Sequence, residues 1–263
     1  MSRRRALAAR LIRAAWRFAE EAAAITADSA EGRRFAAFGP RSLLAFPTGA
    51  VYGERWIMIG DATMLAAYTT ICAGMAPGHD LGPDPVLRIG DRCVIGRGSH
   101  IIAHHSIDIG DDVYTGPYVY ITDQNHSYAD PDAPIGAQWP VNSAVSIGSG
   151  SWLGTGAIIL PGAVIGRNVV VAAGAVVRGK IPDRCVVAGV PARVVREHIP
   201  GVGWTQARDL AAEALSSLSP PPVPTPSAAW PAARSAVPPA APPAVRPAAP
   251  PAVPPAPTVP PAP

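Results

Sequence analysis

Branched aliphatic residues recur at every sixth position through the middle of the chain. They fall in blocks that keep one spacing, with a single threonine among them. The members are Ile59, Leu65, Ile71, Ile89, Ile95, Ile101, Ile109, Thr115, Ile121, Ile147, Leu153, Ile159, Ile165, Val171 and Val177. A period of six matches neither the 3.6 residues of a helical turn nor the two-residue alternation of a strand. It predicts a short strand followed by a turn, repeated so that three units close one triangular coil.

Small residues accompany the aliphatic series. Glycine directly follows many of its members, as at Gly148 and Gly154, and alanine occupies a slot four residues after others, as at Ala157 and Ala163. We expect the glycines to adopt turn dihedral angles that other residues resist. The small slot lets neighbouring coils stack at about the 4.8 Å spacing of paired strands. These features predict a β-solenoid over residues 57–196 with a column of aliphatic side chains as its core.

The two ends of the chain differ from the repeat. Residues 1–56 predict an N-terminal helix, over about 1–31, and a segment that leads into the solenoid. Residues 197–218 predict a C-terminal helical segment, for which Thr205 is the candidate N-cap. Of the 45 residues in 219–263, 19 are proline and none is glycine. Such a segment cannot bury a core, so we expect a disordered Pro/Ala-rich tail of polyproline character.

Charge and cysteine content exclude several classes of protein. The net charge of +3 comes from the two ends, because residues 35–218 hold 12 Lys and Arg against 15 Asp and Glu. With no basic run interleaved with aromatic residues, we expect no nucleic-acid partner. The three cysteines form no C-x-x-C pair, and we expect buried thiols in a cytoplasmic protein. We expect no transmembrane segment. The basic N-terminal helix can pack on its own domain, which we favour, or lie peripherally on a membrane.

The repeat is interrupted once by a long excursion. It stops after Ile121 and resumes beyond an external loop, 127–144, that is rich in Asp, Pro and Gly. A non-repeating excursion from a regular solenoid is where functional residues concentrate. His126 begins this excursion and is flanked by Asp123 and Asn125. A neutral imidazole near pH 7 can take a proton from a hydroxyl or an amine, and a nearby carboxylate or carbonyl would fix its tautomer.

The chain resembles the hexapeptide-repeat acyltransferases, and in particular the O-acetyltransferases of the maltose, galactoside and colanic-acid type. The resemblance covers about 57–196 and rests on the repeat, on His126 ahead of the loop, and on the segments 151–157, 160–162 and 187–193. It implies a mainly β fold, a left-handed parallel β-helix. It also implies acetyl-CoA as co-substrate, a sugar or similar small molecule as acceptor, direct transfer without an acylated residue, and a homotrimer with active sites between subunits.

The resemblance implies a role for each of nine residues. His126 would be the general base, and Asn125, His100 and Trp152 would contact the acceptor. Backbone groups of Thr155, Ala173 and Gly174 would hold coenzyme A. The guanidinium groups of Arg193 and Arg196 would bind its phosphates. Arg178 and Lys180 are secondary candidates for its phosphates, although the family residue at the position of Arg178 is usually small.

Structural alternatives stay open for several of these residues. His126 can be a solvated loop histidine, Trp152 can simply cover an outer face, and Arg193 and Arg196 can be surface charges. Asn125 can stack structurally within the repeat.

Three other functions remain open from the sequence. The first is N-acyl transfer to an amino sugar. The second is a zinc site of the gamma-class carbonic anhydrase kind, which needs three histidines; we expect no metal, because the histidines do not fit that spacing. The third is a solenoid that binds without catalysing. The sequence favours O-acetyl transfer among them.

Overall fold

The computed structural model describes residues 3–207. The predicted C-terminal helix beyond residue 207 and the predicted tail, 219–263, lie outside the described residues. One α-helix, Arg3–Ala22, precedes the β structure. Three short 3-10 helices interrupt it: Gly32–Arg34, Glu54–Trp56 and Ile135–Ala137.

Most of the short strands form three sheets, and a fourth sheet has only the two strands Gln124–Asn125 and Val141–Asn142. Sheet 1 contains Ala37–Phe38, Ile57–Ile59, Leu87–Ile89, Ile107–Ile109, Val145–Ile147, Val164–Ile165 and Lys180–Ile181. Sheet 2 contains, as parallel strands, Leu43–Leu44, Met64–Leu65, Val94–Ile95, Tyr114–Thr115, Trp152–Leu153, Val170–Val171 and Cys185–Gly189. Sheet 3 contains Val51–Tyr52, Thr70–Ala73, His100–Ala103, Tyr120–Thr122, Ile158–Ile159 and Val176–Val177.

Three antiparallel strands extend sheet 2 at its ends. Ile25–Thr26 pairs with Leu43–Leu44, and Ala192–Ile199 and Gly203–Gln206 follow Cys185–Gly189.

The chain visits the three sheets in the same order on every turn, as in a three-sided β-helix. Within each sheet a strand pairs in parallel with the strands one turn before and after it; Ile107, for example, lies opposite Leu87 and Val145. The described residues complete six coils and begin a seventh between Ala37 and Gly189. We call this stretch, 37–189, the solenoid. The mainly β architecture is therefore confirmed, and the left-handed sense of the coil stays a prediction.

The aliphatic series predicted from the six-residue period forms the core. Every one of its members is buried, and so is Thr115. The small slot is buried as well, as at Ala157 and Ala163. Successive coils stack these side chains into columns, so apolar surface is removed from water along the whole axis.

The repeat glycines serve stacking, which differs from the predicted role in turns. A Cβ on Gly96 would lie 2.2 Å from the carbonyl oxygen of Gly116 in the next coil, and one on Gly154 would lie 2.5 Å from the amide nitrogen of Ala173. Neither glycine has a positive φ. The left-handed backbone falls two residues further along, as at Gly98 with φ of 68°. At these positions glycine is needed beside the core residue, because a side chain would collide with the backbone of the next coil.

The predicted start of the solenoid and the predicted end of the N-terminal helix both need correction. The coil begins at Ala37 and not at 57, since Ala37–Phe38 already pairs with Met58 and Ile59. The N-terminal helix ends at Ala22 and not near 31. The chain then turns sharply, because the Ser29 hydroxyl donates to the carbonyl oxygen of Thr26 and accepts the amide of Gly32.

The C-terminal helix predicted from residue 197 is wrong over its described part. Residues 192–206 form two antiparallel strands instead. Ala192–Ile199 includes the β-branched pair Val194 and Val195, and it pairs with the last strand of sheet 2. Pairing with that open edge outweighs the helical pattern, because an unpaired edge strand leaves its backbone groups unsatisfied.

The N-terminal helix exposes its apolar side chains. Five large residues on it are more than half exposed: Leu7, Leu11, Ile12, Trp16 and Phe18. The favoured prediction that this helix packs on its own domain is therefore wrong for these side chains. Within residues 3–207, no helix is both long and apolar enough to span a membrane.

The stacking role of glycine can be tested by Gly96→Ala. The new methyl group would clash with the backbone of the next coil, so we expect a loss of about 1–3 kcal/mol in unfolding free energy. Gly136→Ala is the control, because no atom lies within 4 Å of a Cβ at that position. Thermal and urea denaturation measure both variants. Equal stability of the two would contradict the stacking role.

Candidate functional site

A β-hairpin begins the long excursion and positions His126. Gln124 pairs with Asn142 and Asn125 pairs with Val141, in antiparallel register. The amide of Ser143 donates to the carbonyl oxygen of Asp123 at 2.7 Å, which closes the base of the excursion. His126 directly follows Asn125 of this hairpin, and its side chain is exposed. The pairing of these strands therefore fixes the position of His126 at the surface.

The carboxylate of Asp123 holds this base from below. Asp123 is fully buried, and its two oxygens accept the backbone amides of His104, His105 and Ser106 at 2.7–2.8 Å. These three residues form the corner of the previous coil. The carboxylate therefore ties two coils together and is not directed at the His126 imidazole. The nearby carboxylate or carbonyl expected to fix the tautomer of His126 is therefore not Asp123, whose oxygens accept these three amides.

Two cavities meet at His126. The first, of about 370 Å³, lies on the side of the external loop and includes Tyr128 and Ser143. The second, of about 400 Å³, lies at the carboxyl ends of neighbouring strands of sheet 3 and includes Tyr120 and Arg178. Asn125, His126 and Pro161 line both. The imidazole can therefore be reached from two directions.

His104 lies close enough to His126 for their charges to interact. Burial is the main cause that lowers the pKa of His104 from its ordinary value of 6.5. The charge of Asp123 opposes this shift, whereas positive charge on His79 or His126 reinforces it. The lowered pKa favours the neutral form of His104. Among residues 3–207, no three His, Cys, Asp or Glu side chains are arranged to hold a metal ion.

Two of the predicted acceptor contacts lie outside these cavities. His100 is exposed on sheet 3, directly opposite Tyr120 in the next coil. It is therefore on the same outer face as one cavity-lining residue, but it lines neither cavity. Trp152 is 52% exposed on sheet 2, between Tyr114 and Val170 of the adjoining coils. Trp152 therefore lines neither cavity at His126.

The predicted coenzyme A contacts lie at two other places. Thr155 and Gly174 occupy successive turns of the corner between sheets 2 and 3, where the amide of Gly174 donates to the carbonyl oxygen of Thr155 at 2.9 Å. Ala173 is exposed at the same corner. Arg193 and Arg196 lie on the antiparallel strand that follows the solenoid, opposite Ala188 and Val186 respectively. None of these five predicted contacts lines the cavities at His126.

Three polar residues that line the cavity with His126 and Arg178 are not predicted as site residues from the sequence. Tyr120, Thr122 and Gln124 come from the last strand before the excursion and its first residues. Their position just ahead of the break in the repeat is the signal that could have identified them. Arg178, expected only as a secondary phosphate contact, lines the same cavity as His126.

Two protein-family models match the solenoid. Residues 144–179 match the model "Bacterial transferase hexapeptide (six repeats)", and residues 86–122 match "Hexapeptide repeat of succinyl-transferase".

Two curated relatives and one solved structure are similar to the chain. A probable acetyltransferase of Mycobacterium tuberculosis is 34% identical over 165 residues, which is 63% of this chain and 49% of the relative. WbbJ of Escherichia coli, named for O-acetyl transfer in lipopolysaccharide biosynthesis, is 38% identical over 120 residues, 43% of this chain and 61% of the relative. A mutant of the Bacillus cereus N-acyltransferase AntD, with 98% of its chain and 74% of this one covered, has a TM-score of 0.50 at 17% identity.

The chain carries hexapeptide repeats of the bacterial transferase kind over residues 86–122 and 144–179, and it is similar to two acetyltransferases. It spans between about half and three fifths of the length of the two curated relatives. The likeness to AntD bears on the fold alone.

The role of Asp123 can be tested by Asp123→Ala. Three backbone amides would lose their acceptor, and an unsatisfied buried donor costs about 1–3 kcal/mol. We expect lower stability and faster hydrogen exchange at His104, His105 and Ser106. Asp84→Ala is the control, because Asp84 is exposed and makes no hydrogen bond among the described residues. Unchanged exchange at the corner of 104–106 would contradict the assigned role.

Proposed function

We propose that this chain is a coenzyme A-dependent O-acyltransferase. It moves an acetyl group from acetyl-CoA to a hydroxyl of a saccharide or a similar small acceptor. The observation that carries this proposal is the position of His126 at the junction of two cavities. Direct transfer needs one base that both substrates reach, and this junction supplies it.

The mechanism uses His126 as the general base. Its neutral imidazole removes the proton of the acceptor hydroxyl while the oxygen attacks the thioester carbonyl carbon. Backbone N–H groups stabilise the negative charge on the resulting tetrahedral oxygen. The intermediate then collapses, the carbon–sulfur bond breaks, and the imidazolium returns the proton to the departing thiolate of coenzyme A. No side chain is acylated.

The curated relatives support the choice of acyl group and acceptor. Both are named as acetyltransferases, which favours acetyl over longer chains. The name of WbbJ specifies O-acetyl transfer in lipopolysaccharide biosynthesis, which favours a saccharide hydroxyl. Acetyl transfer to the amine of an amino sugar is the alternative, and the same base would serve it.

We place coenzyme A at the corner formed by Thr155, Ala173 and Gly174, with Arg193 and Arg196 on its phosphates. The exposed backbone of this corner suits an extended ligand, and a guanidinium pairs well with a phosphate. Because this corner is separate from the cavities at His126, the complete site needs residues from more than one subunit.

The proposed assembly is a homotrimer. The outer face of sheet 2 presents an exposed apolar ladder, in which Met64, Tyr114 and Trp152 are 41%, 54% and 52% exposed. Apolar patches of this kind mark contact surfaces. Packing between subunits would also bring Trp152 to a neighbouring His126. Sedimentation equilibrium should give three times the chain mass of 27.1 kDa, and a monomer would contradict the shared site.

Acetyl-CoA as co-substrate favours a cytoplasmic reaction. The exposed apolar side chains of the N-terminal helix would allow a peripheral membrane contact, which cell fractionation measures. No metal has a part in the proposed mechanism, and metal analysis of the purified protein tests this directly.

The general base can be tested by His126→Ala. General base catalysis contributes about 10²- to 10⁴-fold, so we expect acetyl transfer to fall by at least that factor. Coenzyme A affinity should stay unchanged, since the imidazole acts on the acceptor. His105→Ala is the matched control, because His105 is exposed and lines neither cavity. Thiol release measures the rate, and wild-type turnover in the His126→Ala variant would contradict the proposal.

A further inference from the structure

We propose that the cavity shared by His126 and Arg178 binds an acceptor that carries an anionic group, a carboxylate or a phosphate, near the hydroxyl that is acylated. Arg178 would bind that group. The inference rests on the proposed function, because it assumes that the acceptor occupies the cavity at His126.

The stacking of coils brings Arg178 to the wall of this cavity. Arg178 directly follows the strand Val176–Val177, and Leu160 and Pro161 follow the strand Ile158–Ile159 one coil earlier. His126 follows the strand of the coil before that, Tyr120–Thr122. The three strands are neighbours in sheet 3. His126, the apolar residues Leu160 and Pro161, and Arg178 therefore follow the carboxyl ends of three neighbouring strands.

The guanidinium of Arg178 has no acidic partner in the described part of the chain. Arg178 is exposed, and no ion pair or hydrogen bond engages its side chain. By contrast, Arg92 in an earlier coil is held by Asp112 at 2.7 Å. Arg178 is the one arginine or lysine along the two cavities, and neither cavity includes Asp or Glu. A guanidinium left unpaired in a cavity favours a carboxylate or phosphate.

The phosphates of coenzyme A are a poor match for this position. The thioester must reach His126, and the long pantetheine arm separates it from the pyrophosphate. The proposed site already assigns those phosphates to Arg193 and Arg196, whereas Arg178 lines the same cavity as His126. We therefore assign the ligand of Arg178 to the acceptor.

The remaining polar groups of the cavity suit a saccharide. Tyr120 contributes a hydroxyl, and Gln124 and Asn125 contribute amides that both donate and accept. A few such groups in a small cavity fix the orientation of a polyhydroxylated ring. Together with Arg178 they describe an acidic sugar, such as a uronate or a sugar phosphate, and not a neutral one.

Paired acceptors in which an anionic group replaces or esterifies the C6 hydroxyl test the inference. We would titrate the CoA-saturated protein and measure acetyl transfer with glucose, glucuronate and glucose 6-phosphate, and with galactose and galacturonate. Hydrogen bonds to charged groups are strong, so we expect each anionic member to bind about ten- to a hundredfold more tightly than its neutral partner. Its KM should be lower by a similar factor.

Three variants assign that preference to Arg178. Arg178→Gln keeps some hydrogen-bonding capacity and removes the charge, so it should abolish the preference for the anionic member of each pair. Arg178→Lys should restore part of it. Lys180→Gln is the matched control, because Lys180 lies two residues away, is exposed and lines neither cavity. It should keep the wild-type preference.

Several results would overturn the inference. They are equal affinity for charged and neutral partners, no binding of any anionic member, a preference that survives Arg178→Gln, and a variant in which only the KM for acetyl-CoA rises. Failure of the proposed function looks different. There the His126→Ala variant would keep wild-type turnover, whatever the acceptor charge.

Discussion

The close contact between the backbones of successive coils is the constraint on which the rest of this structure depends. Glycine beside many of the core residues removes the side chain that would hold two coils apart. A Cβ built at Gly96, for example, would lie 2.2 Å from the carbonyl oxygen of Gly116. Parallel pairing then repeats with one register from coil to coil. Residues far apart in sequence but in the same phase are brought into columns, so the same constraint builds the aliphatic core and aligns the surface groups at the edge of sheet 3.

The six-residue phase was enough to predict the core and the interruption, since each aliphatic member occupies the same place in every coil. It could not predict how the chain ends, because the pairing of Ala192–Ile199 depends on an open sheet edge. It also could not predict the direction of the Asp123 carboxylate, which is set by amides of another coil. The companions of His126 in its cavity follow from stacking across the excursion, which sequence spacing does not reveal.

The described chain divides the predicted site into two parts. One part joins His126 and Asn125 to two cavities, and the other places Thr155, Ala173 and Gly174 at a separate corner. Assembly into a trimer would join the two parts, because the corner of one subunit could then lie against His126 of a neighbouring subunit. The solenoid fixes the backbone positions of these residues, and in the proposed function the excursion and Arg178 would distinguish one acceptor from another.

The central claim is that both substrates meet at His126. A crystal structure of the protein with coenzyme A and an unreactive acidic sugar analogue tests it most directly. The account predicts the sulfur of coenzyme A and the acceptor oxygen on either side of the His126 imidazole, with the anionic group of the sugar at Arg178. A structure in which either ligand binds away from His126 would contradict it.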